Sequence, residues 1–329
     1  MANTTRKQIS TIWVMFMNKI AINQNLKENL GKRLACKELY SCAKKKVYLQ
    51  FALAVIVGIM YIIYTFSNPI FSFLHCTINE HWFFPFITPI TSILFTLVDN
   101  SMISSSIKSK VEQAAYIQED FDRTVLELPP NKMIVPSFEY VIYVIKTDKL
   151  SEFLDWYDVN ISNIPIEFGR IIAQKSNCIW EINLKNDFKN TLGVILIILF
   201  ILLIIMLIHT YDVKSFIVGI ISTLYIINLF LKYHKAQDSS KNNINELNSK
   251  IDELWESIIE SKETSNLIES SRDIQTQLFY HRLHVALVPD IFYNIRKTEH
   301  QDITKIHIEK MINEYINNFE QDNNNNNGF

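Results

Sequence analysis

The stretch VILIILFILLIIMLIHTYDVKSFIVGIISTLYIINLFL, residues 194–231, decides the fold. It is apolar almost throughout and pauses only at HTYDVK before resuming. A bilayer's hydrocarbon core is about 30 Å thick and needs roughly 20 apolar helical residues to cross. Leu192 to Ile208 holds 17 residues without a charge, and Val213 to Leu231 holds 19 with only Lys214 near its start. In lipid every backbone N–H and C=O must be paired within the segment, so both runs are read as helices. The pause around Thr210, Tyr211 and Asp212 then becomes the tip of a transmembrane hairpin.

The same test finds a second hairpin upstream. Val47 to Phe66 is a 20-residue run interrupted by Gln50. Phe83 to Val98 is shorter and carries Pro85 and Pro89, which a membrane helix tolerates when neighbours satisfy the freed carbonyls. Polar residues within the spans are few (Gln50, Thr88, Thr91, Ser222, Thr223 and Asn228) and none is charged apart from Lys214, which suits a state that seals.

Charge sets the orientation. No Lys or Arg occurs from Val47 through Ile107, whereas Lys32, Arg33, Lys37, Lys44, Lys45 and Lys46 stand just before. Lys108 and Lys110 follow the second span, Lys185 and Lys189 precede the third, and Lys232, Lys235 and Lys241 follow the fourth. By the positive-inside rule both termini and the 107–190 region are expected in the cytoplasm, and the turns 67–82 and 209–212 outside. His75, Cys76, Glu80, His81 and Trp82 fall in the first turn, where Trp82 suits the interface belt. The first 46 residues show no apolar core ending in a cleavage site, so the first span reads as an uncleaved anchor. Cys36, Cys42 and Cys178 are then expected reduced, and all four cysteines are read as packing residues.

The expected class is therefore a mostly α-helical integral membrane protein with two transmembrane hairpins. Residues 1–46 form a basic cytoplasmic segment and 47–98 the first hairpin, with spans 47–66 and 83–98. Residues 99–190 form a cytoplasmic region, and 191–231 the second hairpin, with spans 192–208 and 213–231. Residues 232–310 form a cytoplasmic helical region and 311–329 an Asn-rich tail, QDNNNNNGF at its end, read as disordered.

Helical periodicity continues beyond the spans. Ile107, Val111, Ala114, Phe121, Val125 and Leu128 make a stripe, with Gln118 in its one polar gap, and Pro129-Pro130 stops it. Ile244, Leu247, Ile251, Leu254 and Ile258 keep an a/d rhythm, for which the Ile107 stripe, another subunit, or a surface position on the chain's own domain are all open partners. SFEYVIYVIKTD suits a strand or a helix start. LSEFLDWY is expected helical, PIEFGRIIAQK is expected to lead as one helix into the third span, and the segment from Arg272 is expected helical until Pro289.

Catalytic signatures are missing: only six glycines occur, and no phosphate-binding loop, nucleophile elbow or zinc-protease motif is present. No enzyme activity, cofactor or metal is expected. His281 and His284 beside Asp290 lack further ligands, and Glu119, Asp120 and Asp122 are read as a solvated helix face. Arg170, Lys175, Arg272, His281 and Arg282 lie among aromatic residues such as Trp180, Phe279, Tyr280, Phe292 and Tyr293. Guanidinium forks and stacking rings suit a phosphate-bearing ligand with bases, although ordinary ion pairs are the plainer use of each cation.

Taken as a set, IQEDFDRTVLELPPN (117–131), LSEFLDWY (150–157), IPIEFGRIIAQKSNCIWE (164–181) and RDIQTQLFYHRLHVALVPDIFY (272–293) resemble the SMODS-associating four-transmembrane (S-4TM) effectors, from about residue 40 to about residue 300. Pro130 departs from that family's aromatic after the first proline. The resemblance implies a pore-forming effector of a CBASS-like bacterial antiphage system in the inner membrane, assembling as a homo-oligomer in the lipid bilayer. Its activating ligand would be a cyclic oligonucleotide made by a CD-NTase-type nucleotidyltransferase, with no DNA or RNA partner. It marks Gln118, Asp120, Asp122, Arg170, Gln174, Arg272, Asp273, Gln275, His281, Arg282 and Pro289 as family-block residues; of these Arg170, Gln174, Arg272, Gln275, His281 and Arg282 are the candidate ligand contacts, on the chemistry of their side chains and not on the resemblance. A non-conducting membrane-anchored sensor or scaffold and a small transporter are the rival readings.

Overall fold

A computed structural model describes residues 18–65, 84–131, 147–208 and 213–320. Among these every regular element is helical. The main helices are α1 (Lys27–Thr65), α2 (Phe84–Val98), α3 (Ser104–Val125), α4 (Ile166–Ile208), α5 (Val213–Ser261), α6 (Leu267–Leu283) and α7 (Asp290–Tyr315). A π-helical turn, Asp99–Ile103, joins α2 to α3 without a break.

Four helical stretches are long and apolar enough to cross a bilayer. Each also overruns it. At 1.5 Å per residue the 49 residues of α5 reach about 74 Å, more than twice the hydrocarbon thickness. The change of composition at 46/47 is thus no break in α1: the basic residues from Lys27 onward are the polar half of the helix that makes the first span. Likewise α4 carries the third span as the continuation of the 166–190 helix, as the sequence leads one to expect.

The first, second and fourth spans share a core in which Val47, Ala54 and Val57 meet Tyr225, Leu229 and Phe95. The third span packs on the fourth, and most of its large side chains, such as Val194, Ile197 and Ile201, face outward. Outward apolar faces are what lipid requires.

Outside the spans, the helices converge on a domain centred on Phe121, Val125, Ile171, Ile172, Ile244, Leu247 and Ile251. The a/d stripe of α5 therefore faces its own domain, where it meets the lower end of α3 and the face of α4. The upper stripe of α3 packs instead on the basic half of α1, with Ala114 and Ile117 against Ala35, Cys36 and Leu39.

Three expectations change. LSEFLDWY is helical only in part: a 3-10 turn covers Thr147–Phe153 and the rest is irregular. There the Asn25 and Gln24 side chains take up the backbone N–H groups of Asp155 and Tyr157, competing with helix formation. The helix from Arg272 stops at Leu283, short of Pro289, which disfavours helical geometry at Val288 and offers no N–H to the Val285 carbonyl; the segment between is tied to α5, where Gln237 donates to the Leu287 carbonyl at 3.0 Å. Cys36 and Cys178 are buried, and their thiols are pushed up to about 12 by that burial, but Cys42 is exposed and is no packing residue. Asp99, just past the second span, is buried among the helices. The readings of SFEYVIYVIKTD up to residue 146, of both turns, of Cys76 and of the 321–329 tail lie outside the described residues.

Phe168 anchors the far end of the domain, its ring 4.6 Å from Tyr315, 5.1 Å from Phe319 and 6.2 Å from Trp255. Phe168→Ala is expected to destabilise the domain by about 3–5 kcal/mol, read as a lower denaturant midpoint of tryptophan fluorescence in detergent.

Candidate functional site

Glu119, Asp120 and Asp122 of α3 are buried rather than solvated. Asp122 is wholly enclosed. It accepts from Arg282 Nη1 at 2.5 Å, from Tyr157 Oη at 2.7 Å and from Gln275 Nε2 at 3.0 Å. Glu119 accepts from Arg272 Nη2 at 2.5 Å and from Gln275 Nε2 at 2.9 Å. One amide nitrogen thus bridges two carboxylates. Gln174 of α4 completes the group by donating to the Ser271 carbonyl at 2.7 Å and to Gln275 Oε1 at 3.3 Å. Asp120 faces the other way and pairs with Lys32 at 2.8 Å and Arg123 at 2.7 Å, tying α3 to α1.

The fold brings Gln174, Arg272, Gln275 and Arg282 into this one network. It leaves Arg170 apart: Nε donates to the Leu126 carbonyl at 2.7 Å and Nη2 to the Glu127 carbonyl at 3.0 Å, capping the end of α3 where Glu127 turns into a left-handed conformation (φ 50°). His281 leaves α6 in another direction and meets Glu181 of α4 at 2.9 Å. Glu181 also holds Lys185 at 2.9 Å, and Lys185 donates to Ser240 of α5 at 2.6 Å. Gln118 is partly exposed, Asp273 is exposed, and Pro289 sits at the N-cap of α7.

One short helix therefore touches the continuations of three spans. Through Arg272, Gln275 and Arg282, α6 grips α3, which continues the second span. Through His281 it reaches Glu181 of α4, which carries the third span, and through Gln277 it meets Lys250 of α5, which carries the fourth, at 3.3 Å. Between α5 and α6 opens a cleft of about 440 Å³, with Ser240, Lys250, Tyr280, His281 and His284 among its lining residues.

Electrostatics follows from burial against pairing. Burial opposes the Arg282 charge, but Asp122 and then Tyr157 outweigh it, and the guanidinium pKa is raised. At Asp120 burial is overcome by hydrogen bonds from Lys32 and Arg123, so the carboxyl is held below its ordinary value. At Glu119 burial wins over Arg272 and Gln275, and the carboxyl is pushed up. Burial also opposes Glu181, yet His281 and Lys185 together hold it well below the carboxylate range. Lys185 is lowered by burial because it has only a share of Glu181 in return.

Sequence reasoning missed Tyr157, Lys32, Glu181 and Lys185 as members of these clusters. In the sequence Lys32 reads only as a topology charge. Glu181 and Lys185 stand four apart on one helix, the spacing of a helical ion pair, which is the signal that was there to use.

Spans, continuous helices and a charge-knit helical domain define a multi-pass membrane protein of a particular build. The chain matches the SMODS-associating 4TM effector domain over residues 18–311, and it belongs to that family. It is also 25% identical over 209 residues to a probable CBASS effector molecule of Bacillus cereus (strain VD146). That alignment covers 57% of this chain and 65% of the relative, a little under two thirds of the relative's length. No solved structure matches the chain.

Two outcomes test the network. Arg282→Leu strands the Asp122 charge in the interior and should cost about 3–5 kcal/mol, while Asp122→Asn in the same background should restore much of it, both read by urea unfolding in detergent. Glu181 and Asp120 have depressed pKa values, so their contribution is full above the ordinary carboxylate pKa and is lost as pH falls from there through the lower folded-state value; Glu119 works in the opposite sense. The melting temperature should therefore drop on acidification, and Glu181→Gln should flatten that drop.

Proposed function

We propose that the protein is a membrane effector of a bacterial antiphage nucleotide-signalling system. In this reading it lies in the inner membrane with both termini cytoplasmic, senses a cyclic oligonucleotide through its cytoplasmic domain, and permeabilises the membrane as an oligomeric pore. The name printed for the Bacillus cereus relative, a probable CBASS effector, supports the defence role. The nucleotide would come from a CD-NTase-type enzyme.

The observation that carries the reading is mechanical. α2–α3, α4 and α5 run unbroken from the spans into the domain; α6 is joined by buried ion pairs or hydrogen bonds to α3 and α4, and by the exposed Lys250–Gln277 hydrogen bond to α5. A ligand that displaces α6 has a rigid route to three spans. Of the six residues singled out as ligand contacts, His281 lines the open cleft, while Arg272, Gln275 and Arg282 transmit from inside the domain. The four spans of one chain cannot enclose a wide aqueous path, so conduction by a broad pore calls for several copies.

Purified protein in liposomes, challenged with a panel of cyclic di- and trinucleotides, tests this directly. Ion and dye leakage is expected with one ligand and none without. No leakage from protein shown to be inserted and folded would favour a non-conducting anchored sensor. The stability-restored pair Arg282→Leu with Asp122→Asn is expected to lose the nucleotide response while remaining folded; leakage at wild-type nucleotide levels from that folded variant would remove α6 from the sensing route.

A further inference from the structure

The seam between the first, second and fourth spans is built from three stripes. On α1, Gln50, Ala54, Val57 and Tyr61 recur at steps of four, three and four, and all are buried. On α2 the same steps place Thr88, Ser92, Phe95 and Asp99 on one face, continuing into the π turn. On α5 the facing stripe is Ser222, Tyr225, Leu229 and Tyr233, with Lys232 beside the last. Where they meet, polar groups occupy both ends and an apolar collar of Ala54, Val57, Phe95 and Leu229 lies between.

The domain-side end is a cage around Asp99. Gln50 Nε2 and Ser104 Oγ donate to Asp99 Oδ1, the latter at 3.1 Å. Tyr233 Oη donates to Gln50 Oε1, and Tyr225 Oη to the Gln50 carbonyl at 3.3 Å. Lys232 Nζ sits 3.1 Å from Asp99 Oδ2 and 2.7 Å from Ser104 Oγ. The Asp99 side chain is 5% exposed and that of Lys232 is 37% exposed, so the ammonium enters from the rim while the carboxylate stays inside. The π turn aids this, because one wide turn buries both Asp99 and Ile103. Beyond the collar, the Ser222 hydroxyl is buried with no hydrogen-bond partner in the structure. A buried hydroxyl of that kind ordinarily has a water or ion to bond.

We propose that Asp99 is a binding site for a monovalent cation at the mouth of a path along this seam, and that Lys232 is the tethered cation occupying it while the path is sealed. The inference rests on the permeabilising role proposed above. An ionisable group enclosed by spans is costly and marks ion pathways. The Asp99 carboxylate and the Ser104 hydroxyl, whose oxygens face the Lys232 ammonium, are hard donors that suit a cation, while the Gln50 amide turns its nitrogen to Asp99 and orients the carboxylate. The collar supplies the second element, an apolar constriction that excludes water until the three helices part. Withdrawing the Lys232 ammonium leaves an uncompensated carboxylate that draws a cation from solution.

Full-length wild type, Lys232→Gln, Lys232→Arg and the double variant Asp99→Asn with Lys232→Gln would be compared in liposomes for potassium and chloride flux, without nucleotide and with the cyclic nucleotide panel. Lys232→Gln is expected to raise nucleotide-free potassium flux on the order of tenfold over wild type, without a matching rise in chloride, a shift of about 1.4 kcal/mol in the open–closed balance. Lys232→Arg should remain sealed, and the double variant should leak without preferring potassium. Tryptophan fluorescence melting identifies any variant whose leak comes from misfolding. If Lys232→Gln stays as tight as a wild type that conducts with a nucleotide, or leaks both ions equally, this site is wrong and the permeabilising role stands. If no protein conducts under any condition, the permeabilising role falls and the site with it.

Discussion

The bilayer offers the backbone no hydrogen-bond partners, and the rest of the structure depends on that constraint. It forces each span to be helical. A helix once started has no reason to end at the membrane surface unless glycine, proline or a cap stops it. In this chain few such signals occur at the domain-side ends of the spans. α1, α4 and α5 therefore leave the membrane intact, and α2 does so through a π turn. The domain beside the membrane is assembled largely from the outward halves of membrane helices, so the two parts share their elements rather than being joined by linkers.

A domain built that way must be held by contacts between long helices that approach side by side. Apolar stripes supply the bulk of the packing, with Ile244, Leu247 and Ile251 of α5 against α3 and α4. They leave the relative sliding of the helices weakly specified. Buried ion pairs specify it. Asp122 meets Arg282 and Glu119 meets Arg272 at single registers, and Gln275 fixes the spacing between them. Such pairs add little net stability, because desolvation offsets much of their attraction, yet breaking one partner is severe. A network of this kind suits a part that must hold one position and leave it cooperatively.

The same logic recurs at the membrane edge. Asp99 and Lys232 compensate each other where spans two and four emerge, with Gln50 and Tyr233 completing the hydrogen bonds. The charged cluster of the domain and the charged cluster of the membrane edge lie on the same continuous α2–α3 helix, at Asp99 and at Glu119 through Asp122. One helix therefore connects the two clusters, and its one irregularity is the π turn between them.

Hydropathy and length alone determined the four spans, because about twenty uncharged residues in a row have few other uses. Periodicity likewise determined that the Ile107 stripe continues the second span and that the 166–190 helix leads into the third, since a helix repeats its pattern locally. The candidate residues Arg272, Gln275 and Arg282 were legible as a chemical type, but their partners were not. Glu119 and Asp122 stand about 150 positions away, and a carboxylate on an amphipathic helix carries no mark of whether that face is solvated. Only the tertiary structure decided it, by laying α6 along α3 and closing Tyr157 over Asp122. It alone also decided that Asp99, one residue beyond an apolar run, is enclosed: burial is a property of what packs against a residue, and Gln50 and Lys232 come from helices far away in the chain.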